Sequence, residues 1–266
     1  MKKYLLILVV LLSLFQASPN ALASTIRISN PKIELELAPG ETYSGEIVAE
    51  NPDDEELKAK LYLEDWVYIP GGTGEKKFTP PGSTPLSASK WISFTPSEST
   101  LSPYGRLTAR YTITVPEGAK GSYYSVLFFE TIIGTAANDE GVNVLVAGRI
   151  GALLLIQVKG TVARAGEVTD VHIEPPQGNR PMEIATTFKN AGNVDITLAG
   201  NFLIMDAEGK VLGRGDLNKI YTMPGSTESG RSQWVGRLPK GDYQLLLTYD
   251  LGKGKSQVKE ETVHVS

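Results

Sequence analysis

The chain has 266 residues, comfortable for two domains of ordinary size and too long for one small sandwich. Its 26 basic and 30 acidic side chains give a net charge of −4, which argues against nucleic acid or an anionic membrane surface as the main partner. It has no cysteine, so a disulfide and a bacterial lipoprotein anchor are both impossible, and each domain must be held by its core alone.

Lys2 and Lys3 precede an almost unbroken apolar run over residues 4–15, and Ala21-Leu22-Ala23 matches the small-x-small pattern of a signal-peptidase site. Residues 1–23 are expected to be a signal peptide, because the apolar run is too short for a comfortable transmembrane helix. Without Lys2 and Lys3, 24 basic groups face 30 acidic ones, a mature net charge of −6. The next longest apolar stretch, residues 142–158, is interrupted by Asn143, Gly148, Arg149, Gly151 and Gln157, so no integral membrane segment is expected after the leader.

After Ser24 every segment reads as a strand. Ile33, Leu35 and Leu37 alternate with Glu34 and Glu36 and stop at Ala38-Pro39-Gly40. Residues 43–50 follow and end at the turn Asn51-Pro52-Asp53-Asp54; residues 57–69 end at Pro70-Gly71-Gly72. Residues 71–89, rich in Gly, Pro, Ser and Thr, predict a long surface loop. Strands are predicted over 91–94, 107–115, 123–133 and 142–158, about seven before Gly160, the number one sandwich needs. A short linker over 161–166 leads to a second set at 168–173, 182–189, 202–206, 211–212, 220–223, 232–236, 243–249 and 257–265. The fold predicted is all-β, two tandem immunoglobulin-like sandwiches over 24–160 and 161–266. The halves also rhyme: a turn at Asn51 or Asn190-Ala191-Gly192-Asn193, a later proline, then Gly-x-Tyr opening a strand at Gly121-Ser122-Tyr123 and Gly241-Asp242-Tyr243.

No constellation supports catalysis. The two histidines, His172 and His264, sit in alternating strand contexts; there is no His, Cys or paired-carboxylate cluster for a metal, and no cofactor motif. Gly254-Lys255-Ser256 imitates the end of a phosphate loop, but a strand and not a helix follows it. The acidic turns Asp53-Asp54-Glu55-Glu56 and Asn138-Asp139-Glu140 lack the ligand spacing of a calcium loop. Arg214-Gly215-Asp216 spells a tripeptide read by integrins; a turn between Leu212 and Leu217 accounts for its glycine equally well.

Residues 142–158 stand out. Val142, Val144, Val146, Gly148, Ile150, Ala152, Leu154, Ile156 and Val158 form one nearly all-apolar face at period two, on a strand about three times the usual five or six residues. Two readings stay open. The segment is the last core strand of domain 1, or its N-terminal half overhangs as an apolar edge that invites a partner strand. Gly148 and Gly151 mark a bulge or a break.

Domain 1 resembles the N-terminal domain of PapD-like periplasmic pilus chaperones. The resemblance lies in Ile47-Val48-Ala49-Glu50-Asn51 leading to Asp65-Trp66, then Trp91-Ile92-Ser93-Phe94-Thr95-Pro96, Leu101-Ser102-Pro103-Tyr104-Gly105, Pro116 and residues 123–129. It implies that the last strand of domain 1 pairs with an incomplete pilus subunit, with Arg149 at the position of the basic residue that anchors the subunit's terminal carboxylate. Lys32 is the nearest candidate for the second basic residue of that cleft. The same segments are similar to WxL-interacting proteins, which pair a peptidoglycan-binding sandwich with a host-binding one.

The expectation is a non-catalytic protein, periplasmic or at the cell surface, that binds another secreted or envelope polypeptide by strand addition, as a chaperone or adaptor in pilus or surface-structure assembly. The expected partner-binding residues are Arg149, Val142, Val144, Val146 and Lys32, with no cofactor. The alternative is a cell-surface protein recognising peptidoglycan, polysaccharide or a host protein through the 71–89 loop and Trp66, Tyr68 and Trp91.

Overall fold

The computed structural model describes residues 26–137 and 143–266, so the predicted signal peptide over 1–23 lies outside the described residues. The first sandwich contains β1 (Arg27–Ile28), β2 (Lys32–Leu37), β3 (Thr42–Glu50), β4 (Leu57–Tyr68), β5 (Lys76–Thr79), β6 (Ile92–Thr95), β7 (Glu98–Leu101), β8 (Arg106–Thr114), β9 (Ser122–Ala137) and β10 (Asn143–Val158). One sheet runs β1-β3-β8-β6. The other runs β2-β10-β9-β4-β5, with β7 also on β4. The second sandwich contains β11 (Gly166–Glu174), β12 (Met182–Asn190), β13 (Ile196–Met205), β14 (Val211–Thr222), β15 (Thr227–Trp234), β16 (Gly241–Gly252) and β17 (Lys255–Val265). Its sheets run β11-β12-β15 and β14-β13-β16-β17. Two antiparallel-rich sheets packed face to face in each half make the all-β, two-sandwich architecture. Among the described residues no helix is long and apolar enough to cross a membrane.

Period-two alternation builds both cores. Ile47, Ala49, Leu61, Ile113, Leu127, Phe129, Leu154 and Ile156 fill the first, and Ile184, Phe188, Ile196, Phe202, Ile204, Leu245 and Leu247 the second. The rhyme between the halves has a physical basis in one buried side chain. Asn51 accepts from the N–H of Asp53 and donates to the carbonyl of Glu55; Asn190 does the same with Gly192 and Val194, at identical sequence offsets. Each asparagine's own N–H reaches a second turn, at Gly105 O and Ser226 O respectively. A buried amide that satisfies a turn's backbone is an economical way to close a sandwich corner.

Three expectations need revision. The 71–89 segment is not a free surface loop. It contains β5, which pairs with β4, and its Leu86 and Ala88 bond the backbone of Tyr124 in β9 just before a 3-10 turn that begins at Ser89. Against this segment Asp65 is buried, with its carboxylate accepting from Thr84 N–H (3.0 Å), Ser87 Oγ (2.6 Å) and Ser89 Oγ (2.6 Å). Second, β10 is continuous through Gly148 and Gly151; the register shift falls between Val146 and Ala147, where β9 carries the extra residue, Ile133. Third, β14 runs unbroken from Val211 to Thr222, so Arg214-Gly215-Asp216 forms regular strand paired with Leu203, Phe202 and Asn201 rather than a turn.

Candidate functional site

The site is the upper half of β10. β9 covers one side of it along its whole length, from Asn143↔Ala137 to Gln157↔Ser122. On the other side β2 runs parallel and pairs only with residues 153–158 (Leu153↔Lys32 to Val158↔Leu37). The reason is a crossover at Ser29–Pro31, by which the first stretch of chain leaves β3 in one sheet and joins β10 in the other. Among the described residues nothing pairs with β10 between 143 and 152 on that side. β4 likewise leaves β9 at Thr131, so a two-stranded arm extends past the sandwich.

The edge has a defined chemistry. Leu153 N–H reaches Pro31 O (2.9 Å) and Lys159 N–H reaches Leu37 O (2.8 Å), so odd-numbered residues turn their backbone groups toward the β2 side. By strand alternation, Leu145, Ala147, Arg149 and Gly151 present unpaired N–H and C=O groups along the open edge. The even side chains face the core: Ala152, Leu154 and Ile156 are buried in it and Ile150 packs against it. Val146 and Val144 continue that row, Val144 being 43% exposed; Leu145 and Ile132 nearby are 69% and 56% exposed. Val142 lies outside the described residues.

Arg149 points to the opposite face from Val144 and Val146. Its guanidinium sits 4.1 Å from the Phe128 ring and 5.6 Å from Phe78, and donates to Glu64 Oε1 (2.9 Å) and Tyr62 Oη (3.2 Å). The hydrogen bonds to Tyr62 and Glu64 hold it firmly in the charged form against partial burial. Tyr62 in turn donates to Glu130 (2.6 Å), and burial, with that bond, pushes its phenol up. Gly151 makes the seat possible: a Cβ there would come within 2.6 Å of Val126 and 2.9 Å of Phe128, whose ring leans across the vacant position. Tyr62 and Glu64 were not singled out in the sequence; their period-two spacing with Lys58 and Lys60 on the outer face of β4 was the available signal.

Lys32 does not join Arg149. It pairs opposite Leu153, on the same face but four residues along, about 13 Å at strand rise. It forms an ion pair with Glu34 and lines a cleft of about 450 Å³ with Arg164, Asp195 and Lys253, where the second sandwich begins. The aromatic candidates of the ligand-binding alternative are largely spent on packing: Trp66 is 1% exposed and donates to Ser125 O, Tyr68 lies against Tyr221, and Trp91 stacks on Tyr123.

No family model matches the chain, and no curated protein matches it. Among solved structures it is similar to a chain of a chaperone–tip adhesin complex of CFA/I fimbriae biogenesis (13% identity, 90% of this chain and 99% of that one, TM-score 0.48). It is also similar to the class 5 fimbriae chaperone CfaA (13%, 89% and 99%, 0.46) and the Escherichia coli chaperone DraB (13%, 91% and 99%, 0.41).

Proposed function

We propose that this is an exported, non-catalytic assembly chaperone or adaptor that holds another envelope polypeptide by accepting one of its strands along β10, residues 144–152. The single observation that carries this is the edge itself: four residues with unpaired backbone groups beside an apolar row that continues the core, left open because β2 stops at Leu153. A soluble protein that keeps such an edge without a blocking charge on its core side invites aggregation unless a partner covers it. Val144 and Val146 supply apolar contact, and Val142 extends their pattern. Arg149 offers a charge to an acidic group of the partner in exchange for Glu64, while Lys32 stands further along, at the mouth of the cleft. The reading of a peptidoglycan- or polysaccharide-binding surface has no comparable feature, since its aromatics are packed.

The experiment is co-purification from the periplasm with secreted polypeptides. Val144→Glu places a charge in the apolar row and is expected to abolish capture while thermal unfolding stays unchanged, because Val144 lies beyond the packed core. Arg149→Ala is expected to weaken capture about tenfold, the scale of one charge-assisted contact. Undiminished capture by both variants would overturn the reading.

A further inference from the structure

The parallel ladder between β2 and β10 ends at a residue that cannot continue it. Leu153 pairs with Lys32, and its N–H reaches Pro31 O (2.9 Å). In a parallel ladder the bonding residue of one strand donates to one residue of its neighbour and accepts from the residue two further along. The next rung would therefore join Gly151 N–H to Ser29 O, and the Gly151 carbonyl to an N–H at Pro31. Proline has none to give. Ser29 is also held elsewhere: its N–H donates to Val48 O (2.9 Å) and its hydroxyl accepts from the Val48 N–H (3.1 Å), both in β3.

The side chains change phase at the same place. Ile26 and Ile28, at even positions, pack into the first core, Ile26 being 3% exposed; Ile33, Leu35 and Leu37 pack into it from odd positions. Carried back in the register of β2, the chain would set Arg27 beside Gly148 and Ile28 beside Arg149. Opposed residues share a face, so Arg27 would enter the apolar row between Val146 and Ile150, and Ile28 would turn outward. Leaving β3 for β10 exchanges one set of backbone bonds for another and gives up the packing of Ile26 and Ile28 with no return.

Resting on the strand-addition reading, we infer that Pro31, with the phase change before it, is a stop that keeps the chain's own first strand off the upper edge of β10, and that the accepted strand runs down to Gly151 and supplies the N–H that Pro31 withholds. β2 and the partner then fill one side of β10 end to end, meeting at Leu153. A partner with proline at the rung of Gly151 is disfavoured by the same missing donor. Pro31 acts as a positioning residue: it is exposed, so its substitution removes no core packing.

The test is hydrogen exchange read by NMR on protein purified from the periplasm, together with the co-purification assay above. In wild type the amides of Arg149 and Gly151 are expected to exchange freely and that of Leu153 slowly. Pro31→Val supplies the missing N–H. The amide introduced at position 31 is expected to exchange about fivefold slower than an open-chain amide, the scale of one backbone bond, and capture to weaken by a similar factor. Arg27→Val/Ile28→Thr/Ser29→Val/Pro31→Val also moves the apolar side chains to odd positions. Its Arg149 and Gly151 amides should slow about tenfold or more, and capture should be lost. Free exchange at position 31 in the first variant, or at Arg149 and Gly151 in the second, would overturn the stop and leave strand addition standing. Slowed exchange at Arg149 and Gly151 with undiminished capture would overturn both.

Discussion

Asp65 and Asp195 are both largely withdrawn from water, and their surroundings move them in opposite directions. Burial pushes the Asp65 carboxyl up, but hydrogen bonds from Ser87, Ser89 and the Thr84 backbone outweigh it and hold the group below the usual carboxylate range. Its stabilising effect is therefore present above the unfolded value of about 3.9 and is lost as pH falls through the lower folded value. Asp65→Ala would leave Ser87 and Ser89 without their acceptor under the 80–89 segment, at a cost of about 3 kcal/mol, or roughly 10 °C in the unfolding midpoint. Asp65→Asn should flatten the acid limb of the stability curve. For Asp195, burial dominates and raises the carboxyl, with the Tyr124 hydroxyl, Arg164 and Lys32 offsetting it only in part. Its contribution is greatest below about pH 3.9 and declines as pH rises through the folded value. Asp195→Asn keeps an oxygen for the Tyr124 bond and removes the charge. Thermal unfolding should show it equal to wild type near pH 4 and more stable at pH 7; a loss at pH 7 would mean that the charge is fully compensated.

β10 does different work at its two ends. Its lower half is a core strand with neighbours on both sides; its upper half has one neighbour and a bulge opposite Val146–Ala147 that changes the local twist. The two faces also differ, apolar toward the core and, on the outside, a seat for Arg149 built from Phe128, Phe78, Tyr62 and Glu64. The seat depends on Gly151. Gly151→Val would drive Phe128 off the strand and Arg149 away from Glu64, at a cost of about 2 kcal/mol as an overpacking change. Capture should then fall to the level of Arg149→Ala in the same assay. Full capture by Gly151→Val would mean that the seat is irrelevant to the partner.

The two sandwiches meet through several separate contacts. Tyr124 Oη donates to Asp195 Oδ1 (3.1 Å) and accepts from the Asp195 N–H (2.8 Å), while Ser122 N–H reaches Asn193 O (3.0 Å). The β4–β5 turn reaches over as well: Gly71 N–H donates to Glu228 (2.7 Å) and Tyr221 N–H to Gly72 O (3.0 Å). Gly74, at φ +82°, lies so close to the Tyr221 ring that a Cβ would stand 2.6 Å from it. Contacts this specific should couple the halves, giving one calorimetric transition. Gly74→Val, which both strains the backbone and strikes Tyr221, should split it into two; a second transition already in wild type would show that the junction is too weak to couple them.

Much of the frame can be read from residue order alone, because strand alternation, turn residues and the Asn51 and Asn190 corners are local signals that survive without tertiary context. The all-β class, the pair of sandwiches and the unusual length of the 142–158 run all follow from them. Local signals fail where the outcome depends on what lies across a sheet. Residues 71–89 have the composition of a loop, yet they cover Asp65 and Trp66. Gly148 and Gly151 look alike in sequence, yet one stands opposite Thr131 of β9 and the other makes room for Phe128. Lys32 is only the nearest basic residue that the resemblance offers beside Arg149, and register sets the two four residues apart, each beside its own glutamate. Whether the apolar run is a finished core strand or an open edge was undecidable from its residues, since both want the same alternation. Only the tertiary structure decides it, because the edge is open where β2 crosses between sheets and stops pairing at Leu153, and that crossover is a property of the assembled sandwich.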